Sequence, residues 1–241
     1  GRAKNFAFVY DEIFTLFKFE NKYFNKHGLK TTFIGHPIYH IKPSSNKYKK
    51  NFIAFLPGSR EKEVKKLIYY YDLAYKILLK ENFNCVIFIP TVPHLRNLLM
   101  KSTKHWKIKT IISTNDQTIQ KSYEKVFASL TCSGTASLEM AKRNIPQLII
   151  YKFNFFTTII ASFLVKVKYA NLINIFTNKM IIPELTNFNL TKSKFVKQFY
   201  LLINDNQRNI EQIASVKKNL ILIENKQSPY VISANRIKKL I

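Results

Sequence analysis

Two glycine-bearing turns in this 241-residue chain carry side chains suited to holding an anion. The first lies in LPGSREKEV, residues 56–64, where an apolar run ends at Gly58 and a charged, helix-like segment follows. A helix N-terminus offers free backbone amides and a partial positive charge, and Arg60 adds a guanidinium that can hold a phosphate with two hydrogen bonds. The pattern predicts an anion-binding turn, with a surface ion pair between Arg60 and Glu63 as the alternative.

The second turn lies in CSGTASLE, residues 132–139, and follows the same logic. Ser133 or Thr135 is expected to cap the helix, and Gly134 lets backbone amides face an anion. Glu139 comes one turn into that helix, where its carboxylate can accept hydrogen bonds from sugar hydroxyls. The alternative for Glu139 is a first-turn carboxylate that only complements the helix dipole.

Several other chemistries lack their usual motifs. Neither turn has the GK[ST] ending of a P-loop or the GxGxxG of a dinucleotide site, and no GxSxG elbow is present. The five histidines form no HExxH pattern, so no metal is expected. Cys85 and Cys132 both lie in apolar runs, which indicates a buried, reduced pair of cysteines. No cofactor is predicted.

The elements that position these turns alternate along the chain. Apolar, strand-like runs occur in FAFVYDEIFTLF, TTFIGHP, NFIAFLPGSR, CVIFIP, KIKTIIS, KVFASLTC and PQLIIYK. Helix-like segments lie between them, at about residues 61–81, 92–102 and 117–121, and a final helical region runs from residue 192 to the end with breaks near residues 206 and 227. Alternation of this kind predicts an α/β fold with a parallel sheet covered by helices on both faces.

Glycine placement favours a site at the carboxyl ends of the strands. The chain has only five glycines, and Gly35, Gly58 and Gly134 each follow a strand-like run directly. Glycine permits close approach of the backbone to another group, and ligands bind at this edge of a parallel sheet. The alternative is that tight strand-to-helix turns need glycine for geometry alone.

The N-terminal part of the sequence differs from the rest. It begins GRAKNFAFVYDEIF without a methionine and with the character of a strand, which suggests a piece of a longer protein. A lysine- and serine-rich linker at residues 41–50 separates this part from a complete α/β domain. The apolar residues 153–165 are too few to span a bilayer, which needs about 20, but they could lie in a membrane interface.

The formal net charge of +25 suggests an anionic partner. Nucleic acid, a negatively charged membrane and a phosphorylated substrate all fit this charge. The lysines are spread along the whole chain, so a general compositional bias is the alternative.

Together these segments resemble the lipid-A-disaccharide synthase family of glycosyltransferases. TTFIGHPI, AFLPGSREKEVKKL, LTCSGTASLEMA, PQLIIYKFNFFTTIIASFLVK and YANLINIFTNKMIIPEL occur in the family's order and spacing, over essentially the whole chain. The resemblance implies the GT-B fold, in which two Rossmann-like halves face each other across a cleft. Residues 1–36 would end the acceptor-side half, and residues 37–241 would form the C-terminal domain that binds the UDP-sugar donor, with closing C-terminal helices.

The resemblance also implies a donor site. The turn Gly58–Ser59–Arg60 would face the donor pyrophosphate, Ser133, Gly134 and Thr135 would surround phosphate, and Glu139 would contact the ribose hydroxyls. Asn174 and Glu184 match positions that line the cleft, although Ile173 stands where the family has proline. None of Asp11, Asp72, Asp116 and Asp205 matches the family's general base, which is expected in an N-terminal half that this chain lacks.

The implied reaction transfers 2,3-diacylglucosamine from UDP to 2,3-diacylglucosamine 1-phosphate (lipid X), without a metal, forming the β-1,6 lipid A disaccharide and UDP. The implied location is cytoplasmic, peripheral on the inner face of the inner membrane, with residues 153–165 facing membrane or acyl chains and no nucleic acid bound. The alternatives are another GT-B UDP-sugar enzyme, such as a peptidoglycan-precursor transferase or a UDP-sugar epimerase, and a non-catalytic fragment. A basic RNA-binding protein is disfavoured because no RNP1 motif or GXXG loop is present.

Overall fold

The computed structural model describes residues 2–45, 49–152, 169–221, 225 and 227–239. It divides into two compact units, one formed by Gly1–Ile41 with Lys218–Ile241 and a larger one formed by Lys42–Lys217. The sequence-based boundary near residue 36 stays a prediction. The apolar residues 153–165, expected to face a membrane, lie outside the described residues. None of the described helices is long and apolar enough to cross a membrane.

Helices and strands alternate along most of the chain. The first half contains α1 (Arg2–Val9), β1 (Glu12–Thr15), α2 (Asn21–Asn25), β2 (Lys30–Phe33), β3 (Phe52–Leu56), α3 (Glu61–Lys80), β4 (Val86–Pro90), α4 (Arg96–Thr103), β5 (Thr110–Ser113) and α5 (Asp116–Tyr123). The second half contains β6 (Val126–Cys132), α6 (Thr135–Lys142), β7 (Gln147–Tyr151), α7 (Leu172–Thr177), β8 (Glu184–Thr186), α8 (Lys192–Asn204), α9 (Asn206–Leu220) and α10 (Pro229–Lys238).

A parallel six-stranded sheet forms the centre of the larger unit. Its strand order is β5-β4-β3-β6-β7-β8, and every neighbouring pair is parallel. The chain leaves β3 toward β4 and β5 on one side and then returns to build β6, β7 and β8 on the other. The order therefore reverses between β3 and β6, and a crevice forms at such a point outside the carboxyl ends of the strands. The predicted parallel sheet is confirmed.

Both faces of this sheet are covered, as alternation along β3 shows. Ile53 and Phe55 belong to the cluster that includes side chains of α3 and α8. Phe52, Ala54 and Leu56 belong to the opposite cluster, which includes Tyr123 of α5 and Met140 of α6. Successive side chains of a strand point to opposite faces, so an entirely apolar strand is buried on both.

Helix α3 covers one face because its apolar residues recur at helical spacing. Val64, Leu67, Tyr71, Ala74 and Leu78 are buried along one stripe. Glutamates in the first turn and a lysine in the last complement the helix dipole. The Tyr71 hydroxyl donates to the Leu56 carbonyl at 2.9 Å, so the helix also bonds to the end of β3.

The smaller unit contains the parallel strand pair β1–β2. The secondary structure of its first residues differs from the one expected from the sequence. Arg2–Val9 is helical, where a strand was expected, and the strand begins only at Glu12. The helix is favoured because Phe6 and Tyr10, four residues apart, pack edge to face with ring centroids 5.6 Å apart. Phe6 also stacks on Phe24 of α2 at 6.2 Å.

An ion pair joins the first strand of this unit to the last helix of the chain. Arg236 donates from Nε and Nη2 to both carboxylate oxygens of Glu12, with distances of 2.7–3.0 Å. Thr32 of β2 also donates to Glu12. The Arg236 hydrogen bonds hold the pKa of Glu12 at about 2, below its ordinary 4.5, against the opposing effect of burial.

Glu12→Gln removes the charge of this pair at nearly constant shape. We expect the melting temperature at pH 7 to fall by roughly 3–10 °C, the effect of a charge-assisted hydrogen bond in a chain of this size. Because folding lowers the pKa of Glu12 from 4.5 to about 2, its stabilisation is present above pH 4.5 and is lost as the pH falls toward 2. Thermal unfolding by circular dichroism should therefore show a gap between wild type and variant that closes on acidification.

The control is Glu61→Gln, because Glu61 forms an exposed pair with Lys65 that contributes little. Equal losses in the two variants, or a gap that stays constant from pH 7 to pH 3, would contradict the assigned role of Glu12.

Candidate functional site

A cavity of about 560 Å³ lies at the carboxyl ends of β3, β4 and β6, where the strand order reverses. It brings together seven of the nine residues predicted for the site: Gly58, Ser59, Arg60, Ser133, Gly134, Thr135 and Glu139. The two predicted turns are far apart in sequence, and they meet because β3 and β6 are neighbours in the sheet.

In the first turn, the space beside Gly58 and Arg60 is occupied by a carboxylate of the protein itself, that of Glu63. Gly58 has φ +100°, and a Cβ atom placed there would lie 2.8 Å from the Oε2 atom of Glu63. Arg60 donates to the other oxygen of Glu63 at 2.8 Å, although its own side chain is 77% exposed. The surface pair named as the alternative for Arg60 is therefore present, and the group that Gly58 approaches closely is the Glu63 carboxylate.

Tyr151 and Cys132 complete the surroundings of Glu63 in the cavity. The Tyr151 hydroxyl donates to Glu63 Oε1 at 3.4 Å, and burial raises the pKa of Tyr151, which keeps this donor protonated. Burial likewise raises the pKa of the Cys132 thiol to about 12. At physiological pH, Cys132 therefore lines the cavity as a neutral thiol and is not a thiolate nucleophile.

The second turn presents backbone amides at the start of α6. Gly134 occupies the N-cap position with φ +139°, and within the described residues no side chain caps the helix. The expected cap by Ser133 or Thr135 is wrong, because the Ser133 hydroxyl donates instead to the Ala170 carbonyl at 2.8 Å. A hydroxyl has one hydrogen, so Ser133 Oγ can only accept from a ligand while this bond persists. The Ser137 amide donates to the Gly134 carbonyl at 3.1 Å, so the anion donors of this turn are the Thr135 and Ala136 amides.

Glu139 is held by an arginine that the sequence analysis missed. Arg143 lies one turn further along α6, is buried, and donates to Glu139 Oε1 from Nε at 3.2 Å and from Nη2 at 3.1 Å. Its guanidinium also donates to Gln120 and lies over the Tyr123 ring, 4.7 Å from the centroid. The sequence signal for this pair was the spacing of four residues between Glu139 and Arg143, which places the two side chains on the same face of a helix. Glu139 is therefore fixed at the cavity wall in a defined orientation.

Asn174 and Glu184 are not among the residues that line the cavity. Asn174 is fully buried, accepts from the amides of Ile181 and Ile182 at 2.8 and 2.9 Å, and donates to the Ile182 carbonyl at 2.7 Å. It also donates to Glu184 Oε2 at 3.1 Å, which uses the last of its hydrogen-bonding capacity. Their expected place in the cleft stays a prediction.

Two further polar groups in the cavity were not selected from the sequence. Asp116 begins α5 shortly after β5 ends at Ser113. It therefore lies at the carboxyl end of a strand, which is the position for which Gly58 and Gly134 were selected. Thr91 follows β4, and its buried Oγ1 has no hydrogen-bond partner among the described residues. The cavity therefore carries three carboxylates, those of Glu63, Asp116 and Glu139, beside Arg60. No group of three His, Cys, Asp or Glu that could hold a metal occurs in the described part of the chain.

Comparison with known proteins identifies one family. The sequence profile of the family described as lipid-A-disaccharide synthetase matches residues 1–235. A lipid-A-disaccharide synthase of Rickettsia prowazekii is 30% identical, with 99% of this chain and 66% of the relative covered. Those of Acinetobacter baylyi and Rhodospirillum centenum are 28% and 27% identical, with 92% and 90% of this chain covered. The chain spans 57–66% of the length of these relatives.

Solved structures share the fold at low sequence identity. TarM has a TM-score of 0.59 at 14% identity, with 98% of this chain and 45% of TarM covered. The S. aureus MnaA–UDP co-structure has a TM-score of 0.55 at 18% identity, with 92% and 64% covered. The pneumococcal O-GlcNAc transferase GtfA, in complex with UDP and GlcNAc, has a TM-score of 0.56 at 13% identity, with 99% and 46% covered. The predicted GT-B fold class is confirmed.

Gly58→Ala and Gly134→Ala separate backbone strain from collision at the two turns. Each places alanine at a strongly positive φ, which costs about 1–3 kcal/mol. Gly58→Ala also collides with the Glu63 carboxylate, whereas no described atom lies within 4 Å of a Cβ on Gly134. Urea unfolding should therefore show both variants destabilised, and Gly58→Ala should cost less in a Glu63→Ala chain than in wild type.

A Gly58→Ala cost that is the same with and without Glu63 would show that the carboxylate does not occupy the space beside Gly58. The Gly134→Ala cost, which involves no contact with Glu63, should be the same in both backgrounds.

Proposed function

The chain belongs to the lipid-A-disaccharide synthetase family, and from this we propose that its larger unit is the UDP-sugar donor-binding part of a glycosyltransferase. The reaction is the transfer of 2,3-diacylglucosamine from UDP to 2,3-diacylglucosamine 1-phosphate, giving the β-1,6 disaccharide of lipid A and UDP. The observation that carries this proposal is the meeting of both predicted turns and Glu139 in one cavity at the strand-order reversal.

The donor diphosphate binds at the start of α6, where the first-turn amides and the positive end of the helix dipole are available. At the α3 turn the corresponding place is taken by the Glu63 carboxylate. Arg60 is exposed and long enough to exchange this carboxylate for the diphosphate. Glu139, held by Arg143, accepts hydrogen bonds from the ribose hydroxyls.

The transfer step needs little covalent chemistry from these residues. The 6-hydroxyl oxygen of the acceptor forms a bond to the anomeric carbon, and the bond from that carbon to the diphosphate oxygen breaks. UDP leaves with the electron pair, and the hydroxyl proton passes to a base that we do not assign. The α6 amides and Arg60 stabilise the charge that develops on the leaving diphosphate, without a metal.

The acceptor and the place of action complete the proposal. Residues 1–36 belong to the acceptor side. Residues 37–241 belong to the donor side, and their C-terminal stretch from Lys218 is part of the smaller compact unit. The acceptor is a phosphorylated lipid, so the enzyme works at the cytoplasmic surface of the inner membrane as a peripheral protein. A net charge of +25 favours contact with anionic headgroups, at about 1 kcal/mol for each basic residue near the surface.

A different UDP-sugar enzyme with the same fold is the principal alternative. MnaA, which shares the fold, was solved as a co-structure with UDP, so UDP binding alone would not separate such an enzyme from this proposal. The family match over residues 1–235 and relatives at 27–30% identity favour the lipid A reaction.

Calorimetric titration of the chain with UDP, and separately with a short RNA, tests the donor-site proposal. We expect UDP to bind with a dissociation constant below the millimolar range and RNA to bind only weakly, with an affinity that falls steeply as salt rises. Binding of RNA without UDP binding at millimolar concentration would end the proposal.

Arg60→Ala should weaken UDP binding by roughly 10-fold to 100-fold, the equivalent of a charge-assisted hydrogen bond to the diphosphate. The matched control is Arg96→Ala, because Arg96 is also exposed but does not line the cavity. Titration calorimetry of both variants measures the difference. Equal affinities for UDP in wild type and Arg60→Ala would remove Arg60 from the site.

Glu139→Gln tests the ribose contact through the 2′-hydroxyl. Wild type should prefer UDP over 2′-deoxy-UDP by roughly 10-fold, because the Glu139 carboxylate accepts from that hydroxyl. The preference should fall to about 2-fold in Glu139→Gln, since a neutral amide oxygen is a weaker acceptor than a carboxylate oxygen. A preference unchanged by the substitution would show that Glu139 contacts another part of the ligand.

A further inference from the structure

Glu184, at the start of β8, directs its carboxylate at the backbone. Oε1 accepts from the Ala170 amide at 2.9 Å, and Oε2 accepts from the Asn171 amide at 2.8 Å. The Nδ2 atom of Asn174 donates to Oε2 as well, at 3.1 Å. Glu184 is only 7% exposed and does not line the cavity. A buried carboxylate with three donors is thus committed to holding the segment around residues 170–171.

One peptide group connects Glu184 to the second turn of the site. The Asn171 amide and the Ala170 carbonyl belong to the same peptide group. Its N–H points at Glu184 Oε2, and its oxygen accepts from Ser133 Oγ at 2.8 Å. A carboxylate on the N–H side polarises the peptide and strengthens the bond on the carbonyl side. The charge of Glu184 therefore acts on Ser133 through a single peptide.

A second connection runs from the same segment to the same turn. The side chain of Asn171 donates to Ser137 Oγ at 2.9 Å, and Ser137 Oγ donates to the Gly134 carbonyl at 2.8 Å. Asn171 and Ser137 are both fully buried. Ser133 is thus bonded directly to Ala170, and Gly134 is bonded through the Ser137 hydroxyl to Asn171. Ala170 and Asn171 are the two residues whose amides donate to Glu184.

We propose that Glu184 is a positioning residue for the donor site. Acting through the peptide group between Ala170 and Asn171, it fixes Ser133 and so directs the amides of the α6 turn at the diphosphate. Glu184 then controls UDP affinity without touching UDP, which differs from the cleft-lining role expected from the family resemblance. This inference rests on the proposed function, because it concerns how tightly UDP is held.

The test is a double-mutant cycle on UDP affinity with Glu184→Gln and Ser133→Ala. Each single variant should bind UDP about 5-fold to 10-fold more weakly than wild type. If Glu184 acts through Ser133, the double variant should bind about as weakly as either single variant. Independent effects would multiply, to roughly 25-fold to 100-fold. Titrations are run well below the lowest melting temperature, so that unfolding does not contribute.

Asp72→Asn is the matched control for a merely structural carboxylate. Asp72 accepts from Lys76, His105 and Trp106, and it does not line the cavity. We expect Asp72→Asn to lower stability and leave UDP affinity unchanged, whereas Glu184→Gln changes both. If Glu184→Gln does not fold, Glu184→Asp, which keeps the charge but withdraws it by one methylene, is measured in the same cycle.

Two outcomes would overturn the proposal. If wild type binds UDP and the Glu184 variant binds it within 2-fold, or the cycle is multiplicative, Glu184 has only a structural role. If wild type does not bind UDP, the proposed function fails and this inference fails with it.

Discussion

The reversal of strand order between β3 and β6 is the constraint on which the site depends. Both strands end at the same edge of the sheet, and the chain leaves them for opposite sides. Two helix N-termini therefore meet at one crevice, each preceded by a glycine with strongly positive φ. The buried clusters on both faces of the sheet hold this edge in place. The cavity is a consequence of topology before any side chain is considered.

Internal partners occupy much of the site. Glu63 holds Arg60 and fills the space beside Gly58, while Arg143 holds Glu139. The α6 turn differs, because no described atom lies within 4 Å of a Cβ placed on Gly134, and the neighbouring Ser133 is bonded away from the helix. The two turns are alike in sequence but not in structure: no described atom lies where a Cβ on Gly134 would be, whereas Arg60 in the other turn is already paired with the Glu63 carboxylate. In the proposed donor complex, Arg60 would exchange its bond to Glu63 for one to a diphosphate held at the α6 turn.

The sheet and the position of the cavity could be predicted from sequence because apolar strand runs and the glycines after them are local signals. Hydrogen-bond partners that are brought together only by tertiary packing could not be predicted from the sequence. Nothing local indicates that the Ser133 hydroxyl bonds to Ala170, or that Asn174 and Glu184 bond to each other and to the backbone. The initial helix was missed because a short aromatic run fits a strand and a helix equally well until Phe24 is placed against it. Asp116 was missed although the strand-end rule covered it.

The measurement that tests the central claim most directly is a crystal structure of the chain with UDP. The account predicts that the diphosphate lies within hydrogen-bond distance of the Thr135 amide at the start of α6, with the ribose hydroxyls at Glu139 and the Glu184 carboxylate on the Ala170 and Asn171 amides as in the free chain. A diphosphate bound at the start of α3 with Glu63 displaced, or a UDP molecule outside the cavity, would contradict it.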